Sequence, residues 1–400
     1  LSSPLHHLAA SGTKRLLGAF PLMMSLFEST FVVLSLVALS LTLLNALTIW
    51  TPTTRDGASK NPSDHESSVE VSILIPMRNE ERNVEALIAS IDRALSNERN
   101  RLRWEVIALD DQSVDATRTL LEKERGSLPE LRIIEGKPLP DGWLGKTAAS
   151  QRLLEHAEGH YLLFIDADVR LMPGAISSSI AMMERESWDF ISPYPRQEAR
   201  SFLERLIQPL LQWSWFASVP LRIAARLRTP SMAVANGQFF LVTREALLSI
   251  GGFEAVKGEV LEDLEIARRL WRAGYHGSVV DGSEIAHCRM YDDGKELIDG
   301  YSKSLWRAFG SPWGAGVALT LLILTSWAPL VGGLMGSPWG WFSYFAVSLS
   351  RLIAALRTRS FWQSFLLHPL SVAILFFMVI RSFHLKRKGA LTWRDRSVLI

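Results

Sequence analysis

Several short stretches of the chain set carboxylates or cations at places where they can do chemistry. In YLLFIDADVRLMPGA, 161–175, an apolar run suited to a buried strand ends in Asp166 and Asp168. Side chains at i and i+2 of a strand end point the same way. Burying a carboxylate without a partner is costly, and a hard cation, Mg²⁺ or Mn²⁺, binds through one or two carboxylates plus substrate phosphate oxygens. Alone, the Asp-x-Asp pair fits equally a helix cap or a solvated loop. VIALDDQSVDAT, 106–117, ends another apolar run in Asp110-Asp111, and SILIPMRNEE, 72–81, ends a third in Pro76, Arg78 and Glu80. VLEDLEIARRLWRAGY, 260–275, places Glu262 and Asp263 at the start of a helical pattern, where the helix dipole favours an ionised carboxylate. There the pair is either a cap or a catalytic acid–base group. In GKPLPDGWLGKTAASQ, 136–151, Lys146 is either a charge-assisted contact to a phosphate or a solvated helix-end lysine.

Something must hold these groups together. Apolar runs at 69–76, 104–111, 131–136 and 160–168 alternate with helical patterns over 77–95, 113–125 and 145–159. Asn79 or Glu80 can cap the first of these helices. Strands alternating with helices mean an α/β fold with a mostly parallel sheet, whose ligands bind beyond the carboxyl ends of the strands. That geometry gathers the polar residues after Pro76, Asp110 and Ile165 at one edge.

The rest of the chain has a different character. Of 400 residues, 48% are hydrophobic and 21% charged, yet charge is absent from Ser29 to Trp50 and from Ala308 to Ser350. The first run is long enough to cross a bilayer core of about 30 Å. Trp313 to Met335 and Phe361 to Ile380 are further candidates, and Trp339 to Leu356 a fourth that carries Arg351 inside it. Tryptophans 50, 313, 339, 341 and 362 fall near the ends of these runs, as in interfacial aromatic belts. The expected plan is an N-terminal extension to 25, a membrane helix at 26–50, a polar linker at 51–68 and an α/β domain at 69–310. A bundle of two or three C-terminal membrane helices at 311–384 follows, with three favoured, then a basic tail at 385–400. Met23 and Met24, just before the first apolar run, are candidate translation starts. A net charge of +2 gives no argument for nucleic acid, and the single cysteine, Cys288, supports neither a disulfide framework nor a cysteine zinc site.

Taken in order, SILIPMRNEE, VIALDDQSVDAT, FIDADVRLMPGA and VLEDLEIARRLWRAGY resemble the motifs of family 2 glycosyltransferases over roughly residues 69–310. The stretches 136–151, ANGQFFLVTREALLSIGGF (235–253) and CRMYDDGKELIDGYSKSLW (288–306) are similar to a membrane-bound branch that glycosylates carotenoids such as chlorobactene and diaponeurosporenoate. Hopanoid-associated and polyprenyl-phosphate glycosyltransferases share much of the pattern.

The resemblance implies a GT-A nucleotide-sugar fold and a UDP-sugar donor, UDP-glucose first. It implies that Asp111 accepts from uracil, that Pro76, Arg78 and Glu80 form a nucleotide-binding loop with Lys146 near the diphosphate, and that Asp168 ligates a Mg or Mn ion. Asp166 helps through water or ribose, and Asp263 is the base of an inverting transfer to a lipid acceptor. Asn236, Gly237, Gln238 and Glu262 are expected to shape the acceptor site, with His287 as a further metal candidate. The processive Q-x-x-R-W motif is missing, since Lys303-Ser304-Leu305-Trp306-Arg307 stands there, so one sugar is transferred.

Residues 201–222, with Trp213 and Trp215 and flanking Arg205, Arg222, Arg226 and Arg228, are either an interfacial amphipathic segment that presents the acceptor or a core helix. UDP-sugars are cytoplasmic, so the α/β domain is expected on the cytoplasmic face of the cell membrane. The non-enzyme alternative is a membrane receptor that binds nucleotide-sugar without turnover.

Overall fold

The computed structural model describes residues 5–53, 69–96, 98, 102–393 and 396–397. Most of the 51–68 linker and the last three residues lie outside this set. A long helix, α1 (Leu5–Thr48), precedes the α/β domain. The domain then alternates β1 (Val71–Met77), α2 (Glu81–Ser96), β2 (Trp104–Asp110), α3 (Thr117–Glu124), β3 (Leu131–Glu135), α4 (Gly145–His156) and β4 (Tyr161–Ile165). These match the expected order within a few residues at each end. After β4 come β5 (Val169–Leu171), α5 (Ala175–Glu186), β6 (Phe190–Tyr194) and β7 (Arg196–Gln197). Then follow α6 (Phe202–Ser218), α7 (Leu221–Leu227), β8 (Phe239–Thr243), α8 (Arg244–Ser249), α9 (Glu262–Arg272), β9 (Gly277–Asp281) and β10 (Ala286–Cys288).

Seven strands form the main sheet in the order β3-β2-β1-β4-β8-β6-β9, and β5-β10-β7 form a small second sheet. The first four strands run parallel, and β8 is antiparallel to both β4 and β6. Met77 lies opposite Asp110, so β1 and β2 end at one level. The β1 neighbours are β2 on one side and β4 on the other, the point where strand order reverses and where a doubly wound sheet opens a crevice. Because both faces of the sheet are covered, β1 and β4 are apolar almost throughout rather than alternating. Two apolar layers, one around Ile73, Leu87 and Ile180 and the other around Leu74, Phe164 and Leu270, hold the sheet from its two sides.

Beyond the sheet, α10 (Gly294–Ser302) and α11 (Leu305–Ala308) lead to α12 (Pro312–Thr325), α13 (Trp327–Leu334), α14 (Pro338–Arg357) and α15 (His368–Arg387). Three segments among the described residues are long and apolar enough to cross a membrane: Glu28–Thr48, Pro312–Leu334 and Phe365–Arg387. By length and composition two segments after the domain qualify, the lower of the two counts expected, and α14, which carries Arg351 and several serines, falls short of that apolarity. Arg351 is 1% exposed, and its guanidinium donates to Ser371 Oγ at 2.8 Å, Leu206 O at 2.7 Å and Ser364 Oγ at 3.2 Å.

Helix α6 sits inside this bundle instead of lying on its surface. Leu206, Leu210, Trp213 and Phe216 pack with residues of α1, α14 and α15, and the Trp213 indole donates to Ser350 Oγ of α14 at 2.7 Å. For residues 201–218 of the 201–222 stretch, the packing therefore supports the core-helix alternative. The bundle is fixed to the sheet by Arg357 of α14, which pairs with Asp281 at the end of β9, itself 1% exposed.

Candidate active site

The cavity opens where the topology leads one to look for it. It holds about 470 Å³ and is lined by Pro76, Arg78, Glu80, Asp111, Lys146, Asp166, Asp168, Gly237, Gln238, Glu262 and Asp263. All the expected site residues but His287 are among them.

Two loops at the ends of β1 and β2 build the first wall. Asn79 and Gln112 take left-handed backbone, φ 52° and 56°, which turns each loop sharply away from its strand. The Arg78 guanidinium then donates to the carbonyls of Asp111 at 2.6 Å and Gln112 at 2.9 Å. Asn79 Oδ1 accepts the Val114 N–H at 2.9 Å, and Thr117 Oγ1 accepts the Glu80 N–H at 2.8 Å. Gly136 at the end of β3 stands so close that a Cβ there would lie 2.7 Å from the Asp111 Cα. Asp111 is therefore held between three strand ends.

Pairing of β4 with β8 builds the second wall. Ile165 lies opposite Phe239, and the Asp166 N–H donates to the Gln238 carbonyl at 3.1 Å. The 236–238 turn is thereby set beside the Asp-x-Asp pair. At the other side of that turn, Asp263 Oδ1 accepts the Leu264 N–H at 2.8 Å and the carboxylate also accepts from the Gly237 backbone. A Cβ on Gly237 would meet Lys146 Nζ at 3.2 Å and Asp263 Oδ2 at 3.4 Å. Glycine here leaves room for those two groups to approach.

Lys146 joins the walls. Its ammonium lies 2.8 Å from Asp166 Oδ1 and 3.1 Å from Glu262 Oε1. Burial pulls its pKa down, but the carboxylates of Asp166, Glu262 and Asp263 outweigh that and hold it well above the ordinary value. It is neither a solvated helix-end lysine nor, in this state, a free phosphate ligand. Asp263 is enclosed in the same cluster. Desolvation first, and the neighbouring Glu262 charge second, push its carboxyl up to about 7, against the opposing pull of Lys146. Asp168 is raised in the same direction by desolvation and by Asp166 and Glu80.

The residues suit a divalent cation in one specific sense. Asp168 Oδ1 is buried without a hydrogen-bond partner, an orphaned acceptor of the kind a hard cation satisfies. Among the described residues no three His, Cys, Asp or Glu side chains converge. The protein thus offers one or two carboxylates and leaves the remaining positions to water and phosphate oxygens, as magnesium-type sites do.

His287 does not join them. In β10 it lies opposite Arg170 while Cys288 lies opposite Val169, and alternation sends the two side chains to opposite faces. His287 Nε2 is 3.6 Å from Glu198, with Arg196 and Arg170 nearby. Cys288 is the one that reaches the site. Gln197 Nε2 donates to Gln238 Oε1 at 2.8 Å, Gln238 Nε2 donates to Cys288 Sγ at 2.8 Å, and the thiol bonds to Asp168. Burial and that carboxylate keep the thiol protonated, hence a donor. The Gln238 amide is thus bonded to Cys288 and, through it, to Asp168.

Residue spacing carried no signal for the third wall, which comes from α10 and its flanks. Met290, Tyr291, Asp299, Tyr301 and Lys303 line the cavity there. Tyr291 and Tyr301 pack edge to face at 5.3 Å. Arg381 and Ser382 of α15 bind Asp299 and the Ser302 carbonyl, so this wall is fastened to the last apolar helix. Arg307 of α11 grips Glu259 through both carboxylate oxygens at 2.9 and 2.7 Å.

Comparison with known proteins agrees with this arrangement. The model of glycosyl transferase family 2 matches residues 72–251. A dodecaprenyl-phosphate galacturonate synthase of Rhizobium johnstonii is 32% identical over 133 residues, 33% of this chain and 38% of the relative. A 4,4'-diaponeurosporenoate glycosyltransferase of Staphylococcus haemolyticus is 23% identical over 250 residues, 60% of this chain and 62% of the relative. The chain therefore spans less than two thirds of either curated relative. A Pyrobaculum calidifontis mannosyltransferase, solved with GDP-Man and Mn²⁺, superposes with a TM-score of 0.53 at 16% identity, covering 92% of this chain and all of its own. At that identity the likeness concerns the fold, a GT-A-type α/β sheet with appended helices. Residues 72–251 thus carry a domain that matches glycosyl transferase family 2.

Proposed function

We propose that the protein moves one sugar from a UDP-sugar, UDP-glucose first, to a hydroxyl or carboxyl of a membrane lipid such as a carotenoid, with inversion and with Asp263 as base. The observation that supports it is the meeting of Asp166, Asp168 and Asp263 around Lys146 in one cavity whose far wall is fastened to an apolar helix. The nucleotide is held by Asp111 and by the loop of Pro76, Arg78 and Glu80. Asp168, with Asp166 behind it, would hold a Mg or Mn ion, and an ion held there would supply positive charge for the departing diphosphate. Lys146 turns from Asp166 toward the diphosphate as the donor enters. Asp263 takes the acceptor proton as the acceptor oxygen bonds to the anomeric carbon, and the bond from that carbon to the diphosphate breaks on the opposite side. Gly237 and Glu262 face the acceptor.

One membrane helix before the domain and two after it return the tail to the side of the domain. Arg381, Lys386, Arg387, Lys388 and Arg396 then lie cytoplasmic, in keeping with the positive-inside rule. The favoured three C-terminal spans would have placed them outside. A second acceptor, a polyprenyl phosphate, is supported by the relative that is 32% identical over its matched stretch.

The test uses membranes that contain the protein, radiolabelled UDP-glucose and Mn²⁺, with mass analysis of the labelled lipid. Label in an extractable lipid, abolished by EDTA, supports the reading. UDP-glucose binding with no labelled product under any donor or cation tried defeats it in favour of a receptor.

A further inference from the structure

With α6 buried, the exposed apolar surface of this region lies one helix later. Ala224 and Ala225 of α7 are buried against the α/β domain. On the outer side Ile223 is 49% exposed and Leu227, four residues on, is 70% exposed. Met232, in the following turn, adds to the same chain segment at 39%. A soluble domain rarely leaves such residues grouped in solvent.

The rim of this surface is basic. Arg226 is exposed beside Leu227, and Arg228 follows it. On the adjoining helix α9, Arg268 donates to the Pro230 carbonyl at 3.2 Å. Arg268, Arg269 and Arg272 share a single carboxylate, Glu265, at 3.8, 3.5 and 3.0 Å. Three cations on one anion leave the rim positive.

The level of the surface is set by α1. Asn45, in the last turn of the apolar segment Glu28–Thr48, donates to the carbonyls of Phe216 at 2.8 Å and Val219 at 2.7 Å and accepts the Leu221 N–H at 3.1 Å. Just past that segment, Trp50 receives the Arg222 guanidinium over its ring at 4.4 Å. Tryptophan and arginine at the end of an apolar span are residues of the headgroup layer. Helix α7 therefore starts where the bilayer core ends.

We propose that α7 and the 3-10 turn Pro230–Met232 lie in the headgroup layer of the bilayer, with Ile223, Leu227 and Met232 dipped into it and the arginines of α7 and α9 on anionic lipid. Like charge on the rim disfavours a second copy as the occupant, and continuity with the end of α1 favours the membrane itself. The inference stands whether or not the cavity transfers sugar. It has a consequence for the cavity, because the segment runs from Met232 directly to Gly237.

The test uses the full chain in liposomes, with and without anionic phosphatidylglycerol. The native cysteine is buried, so an environment-sensitive fluorophore can be placed at Leu227→Cys and, as a control on the far edge of the sheet, at Ser127→Cys. Spin labels carried on lipid headgroups should quench the first severalfold more than the second. Anionic lipid should strengthen that difference, and Arg226→Glu with Arg272→Glu should reduce it. Equal quenching at both positions overturns the proposal. So does protection of position 227 that grows with the protein-to-lipid ratio, which makes the occupant a second copy.

Discussion

Replacing Asp263 by asparagine should abolish transfer and, in the same molecule, stabilise the apoprotein at neutral pH. The carboxyl stands at about 7 in the fold against 3.8 for a free aspartate, chiefly because burial penalises its charge. Between those two values the folded chain holds a proton that the unfolded chain has released. Stability therefore falls as pH rises through that window. At about pH 8 the full raise corresponds to an upper bound of about 4 kcal/mol, and at about pH 5 to under 2 kcal/mol, at 1.36 kcal/mol per pH unit. Readjustment of Glu262 and Lys146 relaxes part of this, so a gain of about 1–2 kcal/mol at pH 8 is the realistic expectation. Asparagine keeps the shape and leaves Lys146 its partners Asp166 and Glu262.

The assay is the apparent melting temperature of detergent-solubilised wild type and variant across pH 5 to 8, beside turnover and donor affinity. The variant should melt above wild type at pH 8, and the gap should narrow toward pH 5. Turnover should fall by about 10²–10⁴, the usual range for a positioned base, with donor binding retained. A variant that melts no higher than wild type at pH 8 refutes the burial argument. One that still transfers sugar at the wild-type rate removes Asp263 from the chemistry.

Three further outcomes follow from the same geometry. Lys146→Ala strips the ammonium from three carboxylates, so donor affinity should drop about tenfold, the weight of one charge-assisted hydrogen bond. Its pH–rate profile should move to alkaline pH, since Lys146 is what lowers Asp263; an unmoved profile contradicts this. His287→Ala should leave the Mn²⁺ concentration for half-maximal activity unchanged, because the ring faces Glu198, and a large rise would restore it as a ligand. Arg357→Ala leaves Asp281 buried without its cation, and the melting midpoint should register a loss on the order of 3 kcal/mol. Combining it with Asp281→Asn should recover most of that loss.

Much of this site was legible in the chain because parallel strands advertise themselves. An apolar run that stops at polar residues marks a strand's carboxyl end, and sheet geometry brings such ends together whatever their separation in sequence. That is why Arg78, Asp111, Asp166 and Asp168 share a cavity. Alternation along the three residues of β10 is legible as well, and it sets Cys288 rather than His287 on the side of Asp168. The tryptophans and flanking arginines of 201–222 fit either an interfacial segment or a core helix, and for α6 the structure decides for the core. Its burial depends on α1 and α14, whose docking no local pattern encodes. Helix α14 shows the same dependence: Arg351 lowers the apolarity of the run, yet Ser364, Ser371 and the Leu206 carbonyl enclose it.

Lys146 sharpens the point. From sequence it had two meanings, a phosphate contact or a solvated helix end, and its neighbours Gly145 and Thr147 cannot choose between them. What chooses is Asp166, 20 residues away on the next strand, and Glu262 at the start of a helix beyond the sheet. The lysine is a counter-ion shared by the acid expected on the donor side and the acid adjoining the proposed base. A negatively charged donor that enters this cavity competes for it. On the proposed reading, Lys146 turns to the diphosphate, Glu262 and Asp263 then lose part of their neutralising charge, and Asp263 becomes a stronger base as the acceptor needs one. Under that reading donor binding and base strength are linked through the one side chain that touches Asp166 and Glu262 together.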